Sequence, residues 1–423
     1  MKKTITLFLI LIFVSLNLSA QKLLIIMDES QTNHLKAYGI AYWQLQQSQT
    51  VEWLLNYRGG SFLISDNPVV RQECDLREVK YLTISAGEEA AIKTEISNQD
   101  VNADVVKLEK APKIAVYTPP NTLPWDDAVT MALTYAEIPY EKIWDKEVLD
   151  GKLSKYDWLH LHHEDFTGQY GKFYSSFQNV PWYVKQQAEY EAFAKMLGYK
   201  SVSEEKKDVA EHIREYVGQG GFMFAMCSAT DSYDIALSAK NIDIAPVEFD
   251  GTPIDANAQN KLDFSRTFAF ENFVLNTDPY VYEYSSIDIQ PDEIPDRVVN
   301  QATDFFTLFE FSAKWDPVPT MLTQNHEKVV KGFLGQTTLF KKKYVKPTVV
   351  VMGEYEGRDE VKYLTGNFGK GTFTFFPGHD PEDFQHAVGD PPTDLSLHKN
   401  SPGYRLILNN ILFPAANKKK HKT

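Results

Sequence analysis

Cys227 closes an apolar run, Gly221-Phe222-Met223-Phe224-Ala225-Met226, and is followed by the small residues Ser228-Ala229-Thr230. A buried strand that stops at a cysteine and turns into a helix is the sequence form of a nucleophile elbow. The turn lifts the thiol out of the sheet, and the helix N-terminus favours the thiolate. A thiol nucleophile needs a base to take its proton, and the base needs a carboxylate to orient it. The stretch Phe376-Pro377-Gly378-His379-Asp380-Pro381-Glu382-Asp383 follows a second apolar strand and sets a histidine beside three acids. Cys227 as nucleophile, His379 as base and Glu382 as orienting carboxylate (or Asp380 or Asp383) carry the chemistry of amide or acyl hydrolysis. The competing reading makes Cys227 a small buried hydrophobe, because free cysteine is among the most buried residue types.

His160, His162, His163, Glu164 and Asp165 form the densest set of ligand-type side chains. Strand alternation sends His160 and His162 to one face and His163 to the other. One face then offers two histidines where a metal needs three or four convergent ligands. His379 and Asp380 complete the set only if their loops meet, so no metal and no cofactor are expected. His163, Glu164, Ser228 and Asp380 are read instead as substrate or oxyanion contacts, with backbone N–H groups near Ser228 and in the 164–168 loop holding the oxyanion. A histidine at 163 and a cysteine at 227 also follow the chain order of caspase-like peptidases, but their flanking motifs are absent. Gly-Lys-Gly-Thr at 369–372 has the wrong spacing for a phosphate loop and reads as a hairpin turn.

These side chains need a sheet to bring them together. Apolar runs at 114–117, 140–144, 156–162 and 221–227 alternate with helical stretches at 126–136, 182–197, 204–217 and 231–239. That alternation predicts an α/β fold with a doubly wound parallel sheet, whose ligands sit at the carboxyl ends of the strands. Residues 21–111 read as a separate small α+β domain, with a helix over 34–45 and strands at 23–27, 51–56, 61–64, 79–84 and 91–96. The main domain spans 112–414 and is interrupted by an aromatic- and proline-rich insertion at 241–345. Its aromatic residues read first as core packing and secondly as a saccharide-binding face. Strands at 361–365 and 372–376 pair across the glycine turn.

The chain has 423 residues and a formal charge of −14. Such acidity makes it a poor binder of nucleic acid or anionic lipid. The basic tail, 415–423, reads as a solvated end. Residues 1–20 combine Lys2 and Lys3, an apolar stretch from Leu7 to Val14 and a small-residue cut site after Ala20. This is the pattern of a signal peptide, and it predicts a periplasmic or secreted protein. No later stretch has the length of a membrane span. The expected partner is a small molecule or an envelope component.

The ordered pieces resemble the class I glutamine amidotransferase-like superfamily, including its ThuA-like branch. Ile114 to Tyr117 looks like its first strand, Leu153 to His162 like the approach to its third, and Tyr216 to Ala229 like its elbow. Gly369-Lys370-Gly371 through His379 looks like its closing strand. The resemblance implies a flavodoxin-like sheet, a Cys227 nucleophile and a His379 base. Ala225 and Ala229 stand where the family has elbow glycines, and Asp380-Pro381-Glu382 replaces a direct Pro-Glu after the histidine. The whole chain also resembles secreted bacterial proteins labelled asparagine synthetase B. Cleavage leaves Gln21 where that enzyme's glutaminase has a cysteine, and its Ser-Gly-Gly nucleotide loop is not visible. The alternatives to a cysteine hydrolase are a non-catalytic binding or envelope-assembly protein on the same fold, and a saccharide-related ThuA-like protein.

Overall fold

The computed structural model describes residues 21–120, 127–289, 304–317, 319–323, 327–333, 335–383 and 390–416. The leader at 1–20 and the lysine-rich end from 417 onward lie outside the described residues. The architecture is mixed α/β, built on two sheets.

Five short strands make the first sheet: β1 (Lys22–Ile25), β2 (Val51–Leu55), β3 (Ser61–Ser65), β4 (Tyr81–Ile84) and β5 (Asp104–Leu108). They pair antiparallel in the order β4-β1-β3-β2-β5. The helix His34–Gln46 starts where the Asn33 side chain accepts the Lys36 N–H, which satisfies one orphan donor of its first turn. Gly39 permits its close approach to the main unit, since a Cβ there would sit 1.9 Å from the Ala136 carbonyl oxygen. The strand expected at 91–96 is instead part of the helix Ala86–Ser97. Ser85 and Glu88 satisfy each other's backbone in a capping box, which fixes a helical start.

The second sheet holds β6 (Ile114–Tyr117), β7 (Glu141–Ile143), β8 (Trp158–Leu161), β9 (Phe222–Met226), β10 (Phe305–Leu308), β11 (Val329–Lys331), β12 (Phe340–Lys341), β13 (Val350–Glu354), β14 (Glu360–Phe368) and β15 (Gly371–Phe376). Its order is β11-β10-β13-β14-β15-β9-β8-β6-β7, with β12 beside β14. The run β7-β6-β8-β9-β15 is parallel. Beyond β15 the pairing is antiparallel. The segment expected as an insertion supplies β10, β11 and β12, so it extends the main sheet. Its Phe268, Phe270 and Phe273 pack in the core with Phe373 and Phe375.

Alternate residues of the parallel strands feed two cores. Ile114, Val116, Phe224 and Met226 face one, while Ala115, Tyr117, Met223 and Ala225 face the other. Burial on both faces explains why these strands read as continuous apolar runs. The first core also contains Tyr38, Trp53 and Phe62 of the N-terminal unit and Leu406 and Leu408 of the last helix, Pro402–Leu412. The fully buried Arg405 guanidinium donates to the Gly59 carbonyl at 2.8 Å, and the Tyr38 hydroxyl donates to Asn409. On the other side, Lys206 of the helix Val202–Gln219 lies 2.7 Å from the Asp145 carboxylate and 3.7 Å from the centre of the Trp144 ring.

Candidate functional site

Asp127 follows β6, His162 follows β8, Cys227 follows β9 and His379 follows β15. All four stand at the carboxyl ends of parallel strands, where open α/β sheets bind their ligands.

Cys227 begins a single 3-10 turn that leads to the helix Asp231–Ser238, and its φ is +49°. A non-glycine residue in the left-handed region is strained, and such strain clusters at functional turns. The environment, however, suits a thiol rather than a thiolate. Burial pushes Cys227 up to about 12, and the Asp231 and Asp288 carboxyls add to the rise. Its Sγ donates to the Gln336 carbonyl at 2.9 Å. Cys227 is not bonded to Cys74; both are free.

The other expected residues divide into those with a structural task and those that meet. The Glu382 carboxylate, expected to orient His379, lies 3.0 Å from Lys331 and 3.2 Å from His398. Asp380, expected as a substrate contact, is held by the chain itself. It accepts the Glu382 N–H at 2.8 Å and the Tyr404 hydroxyl at 2.6 Å, tying the loop to the last helix. In the loop after β8, expected to help hold an oxyanion, Asp165 accepts the N–H groups of Thr167, Gln169 and Gly171. Phe166 N–H goes to Ser232. Ser228 is fully buried behind the elbow.

The histidines converge instead. The ring centroids of His162 and His163 are 4.4 Å apart, those of His162 and His379 4.6 Å, and those of His163 and His379 5.9 Å. One ligand nitrogen from each lies within 4.8 Å of the others. Strand alternation misplaced His163 because β8 ends at Leu161, so the turn that follows is free of the two-residue period. Gly378 places His379. Its φ is +90°, and a Cβ there would lie 2.0 Å from the Phe333 carbonyl oxygen.

Asp127 was missed by the sequence reading. Its carboxylate caps the helix Ala128–Tyr135 by accepting from Val129 and Thr130, and it lies 3.1 Å from His160 Nε2 and 3.0 Å from His162 Nδ1. Burial works to raise this carboxyl, but the two adjacent imidazoles outweigh it and hold it well below the usual range. An acidic helix cap just past the first parallel strand was the available signal. Glu164 lies on the other side of His162, whose N–H it accepts at 3.2 Å. Burial, helped by the Asp127 charge, raises its carboxyl to about 8. His163 and Glu164 open onto a cleft whose walls include Trp144, Tyr170, Gln186 and Tyr190.

No family model and no curated protein matches this chain. Among solved structures it is similar to two cytoplasmic proteins of Salmonella typhimurium. Each is 12% identical, with a TM-score of 0.35, over 72% of this chain and 100% of the other. It is also similar to a beta-galactosidase from Bacillus circulans sp. alkalophilus, at 10% identity and a TM-score of 0.25, over 70% of this chain and 32% of that one. Both Salmonella neighbours are named as cytoplasmic proteins, which stands against the periplasmic or secreted location expected from residues 1–20, and that location is not carried further. Among the described residues, no helix is long and apolar enough to cross a membrane.

Proposed function

We propose that this protein is an amidotransferase-like hydrolase of an amide or related acyl bond, with its reacting centre at the histidine cluster. The strand order β7-β6-β8-β9-β15, with crossovers between the parallel strands, supports a flavodoxin-like doubly wound sheet. The observation that carries the function is the convergence of His162, His163 and His379 beside a cleft that also holds Glu164. Water held at the cluster adds to the substrate carbonyl carbon. Glu164 takes its proton and returns it to the leaving nitrogen as the carbon–nitrogen bond breaks, releasing a carboxylic acid and an amine. A carboxyl titrating at about 8 is matched to moving protons in both directions near neutral pH.

Hydrolysis through Cys227 is the second reading. It is favoured by the left-handed turn at the end of β9. A panel of small acyl para-nitroanilides and para-nitrophenyl esters separates the two. Hydrolysis that survives Cys227→Ala and falls at least about 100-fold in Glu164→Gln supports the cluster. The opposite pattern overturns it in favour of the thiol.

A further inference from the structure

We propose that His162, His163 and His379 bind one divalent transition-metal ion of the zinc class, with the fourth position turned to the cleft. The inference deepens the hydrolase reading and rests on it for the identity of the reacting centre, but the metal is tested separately.

Three imidazoles are a zinc-type donor set, and an open fourth position is the mark of a catalytic rather than a structural site. Across a tetrahedral ion with bonds of about 2.0–2.1 Å, ligand nitrogens stand about 3.3 Å apart. The observed nitrogens lie within 4.8 Å of one another, so small ring rotations close the set. The three rings come from two loops, after β8 and after β15, the two strands that flank β9, and their backbone is pinned. Ala229 N–H donates to the His162 carbonyl at 3.0 Å, and Gly378 N–H donates to the Thr337 carbonyl at 2.9 Å.

The surroundings of His162 give a second, independent argument. Its side chain is 2% exposed, and its Nε2 has no hydrogen-bond partner among the described residues. Leaving such a nitrogen dry and unpaired costs free energy unless something else takes its lone pair. Its other nitrogen, Nδ1, lies against Asp127. A carboxylate on the far nitrogen of a ligating histidine fixes the tautomer and raises ligand basicity. Asp127 is itself held by the helix N–H groups and by His160, whose Nδ1 lies 3.1 Å from the Phe224 carbonyl oxygen.

Asp127, His160 and His162 form a second group of the right composition. That group is already committed: the Asp127 carboxylate is shared among two backbone donors and two rings, and His160 spans from it to β9. The group with His163 has the entry path, because His163 lines the cleft. Asp127 and His160 therefore position, and His162, His163 and His379 ligate.

The test uses the full-length protein, stripped with chelator and titrated with zinc or cobalt alone. The expected result is one ion per chain, an intense tetrahedral cobalt absorption and a rise in melting temperature. His379→Gln and His163→Gln each lose the absorption and at least about 100-fold in affinity, whereas His398→Gln, outside the cluster, binds as the parent does. Circular dichroism reports whether each variant folds. If one of the two does not fold, the other decides. Sub-stoichiometric binding, or binding unchanged in a folded His379→Gln or His163→Gln protein, overturns the site. Stoichiometric metal with no hydrolysis sinks the hydrolase reading and leaves the site standing; hydrolysis indifferent to chelator does the reverse.

Discussion

Asp127 Oδ1 lies 3.0 Å from His162 Nδ1 while the same carboxylate caps the helix Ala128–Tyr135. One side chain thus sets where a helix begins and which way an imidazole faces. Asp127→Asn separates the two tasks. Asparagine caps a helix about as well as aspartate does, but it lacks the charge that sharpens a metal ligand. The expected outcome is a folded protein with zinc or cobalt affinity lowered about 10–100-fold. Isothermal titration with circular dichroism checks it, and unchanged affinity counts against the positioning role.

Cys227 is expected to resist alkylation in the native state. Its thiol is buried, and both that burial and the neighbouring carboxyls oppose the thiolate. At pH 8, mass-mapped iodoacetamide labelling of Cys227 should proceed on the timescale of unfolding and become rapid in denaturant. Fast native labelling with an apparent pKa below ~8.5 would restore the cysteine mechanism.

The strand ends that bring these side chains together were legible in the sequence, while the partners of each side chain were not. The strands β6, β8, β9 and β15 are buried on both faces and announce themselves as apolar runs, so the residues that follow them could be placed on one edge. Glu382 was chosen because it lies near His379 in sequence. The carboxylate that orients a histidine is Asp127, which the fold delivers from the end of β6. The same distance effect hid the electrostatics of Cys227, since Asp288 reaches it from a remote segment. Strands β10 to β12 are two to four residues long. Their pairing is set by the neighbouring strand rather than by their own periodicity. Residues 91–96 were misread as a strand because the decisive signal, Ser85 with Glu88, lies upstream of the apolar residues.

Glu164 gives the folded protein a pH dependence of known sign. Its carboxyl titrates near 4.5 when unfolded and at about 8 when folded. Between those values the unfolded chain has released a proton that the folded chain keeps, so stability falls as pH rises and the loss is complete above about 8. The slope from this one group is at most about 1.4 kcal/mol per pH unit. Urea midpoints from pH 5 to 8 on chelator-treated protein should fall less steeply in Glu164→Gln than in the parent. Parallel curves would remove Glu164 from the proton-carrying role.

Lys206 and Asp145 form a buried ion pair with side-chain exposures of 3% and 2%. Lys206→Met strands the Asp145 charge and should cost about 3–5 kcal/mol in urea unfolding. The double substitution Lys206→Met with Asp145→Asn should recover part of that loss. An equal or larger loss in the double variant would show that the pair matters through packing against Trp144.

The contacts of Tyr38 with Asn409 and of Arg405 with Gly59 join the N-terminal unit to the last helix across almost the whole chain; the first pair is 371 residues apart in sequence. During synthesis at about 5–20 residues per second, the N-terminal unit waits roughly 20–75 s for that partner. Over that interval the face bearing Leu35, Tyr38 and Phe62 has no cover from the last helix. Contacts of such long sequence separation also slow the final closure. The nascent chain is therefore a client for holding factors until its end arrives, and a chain stopped short of residue 402 would keep that face exposed and aggregate.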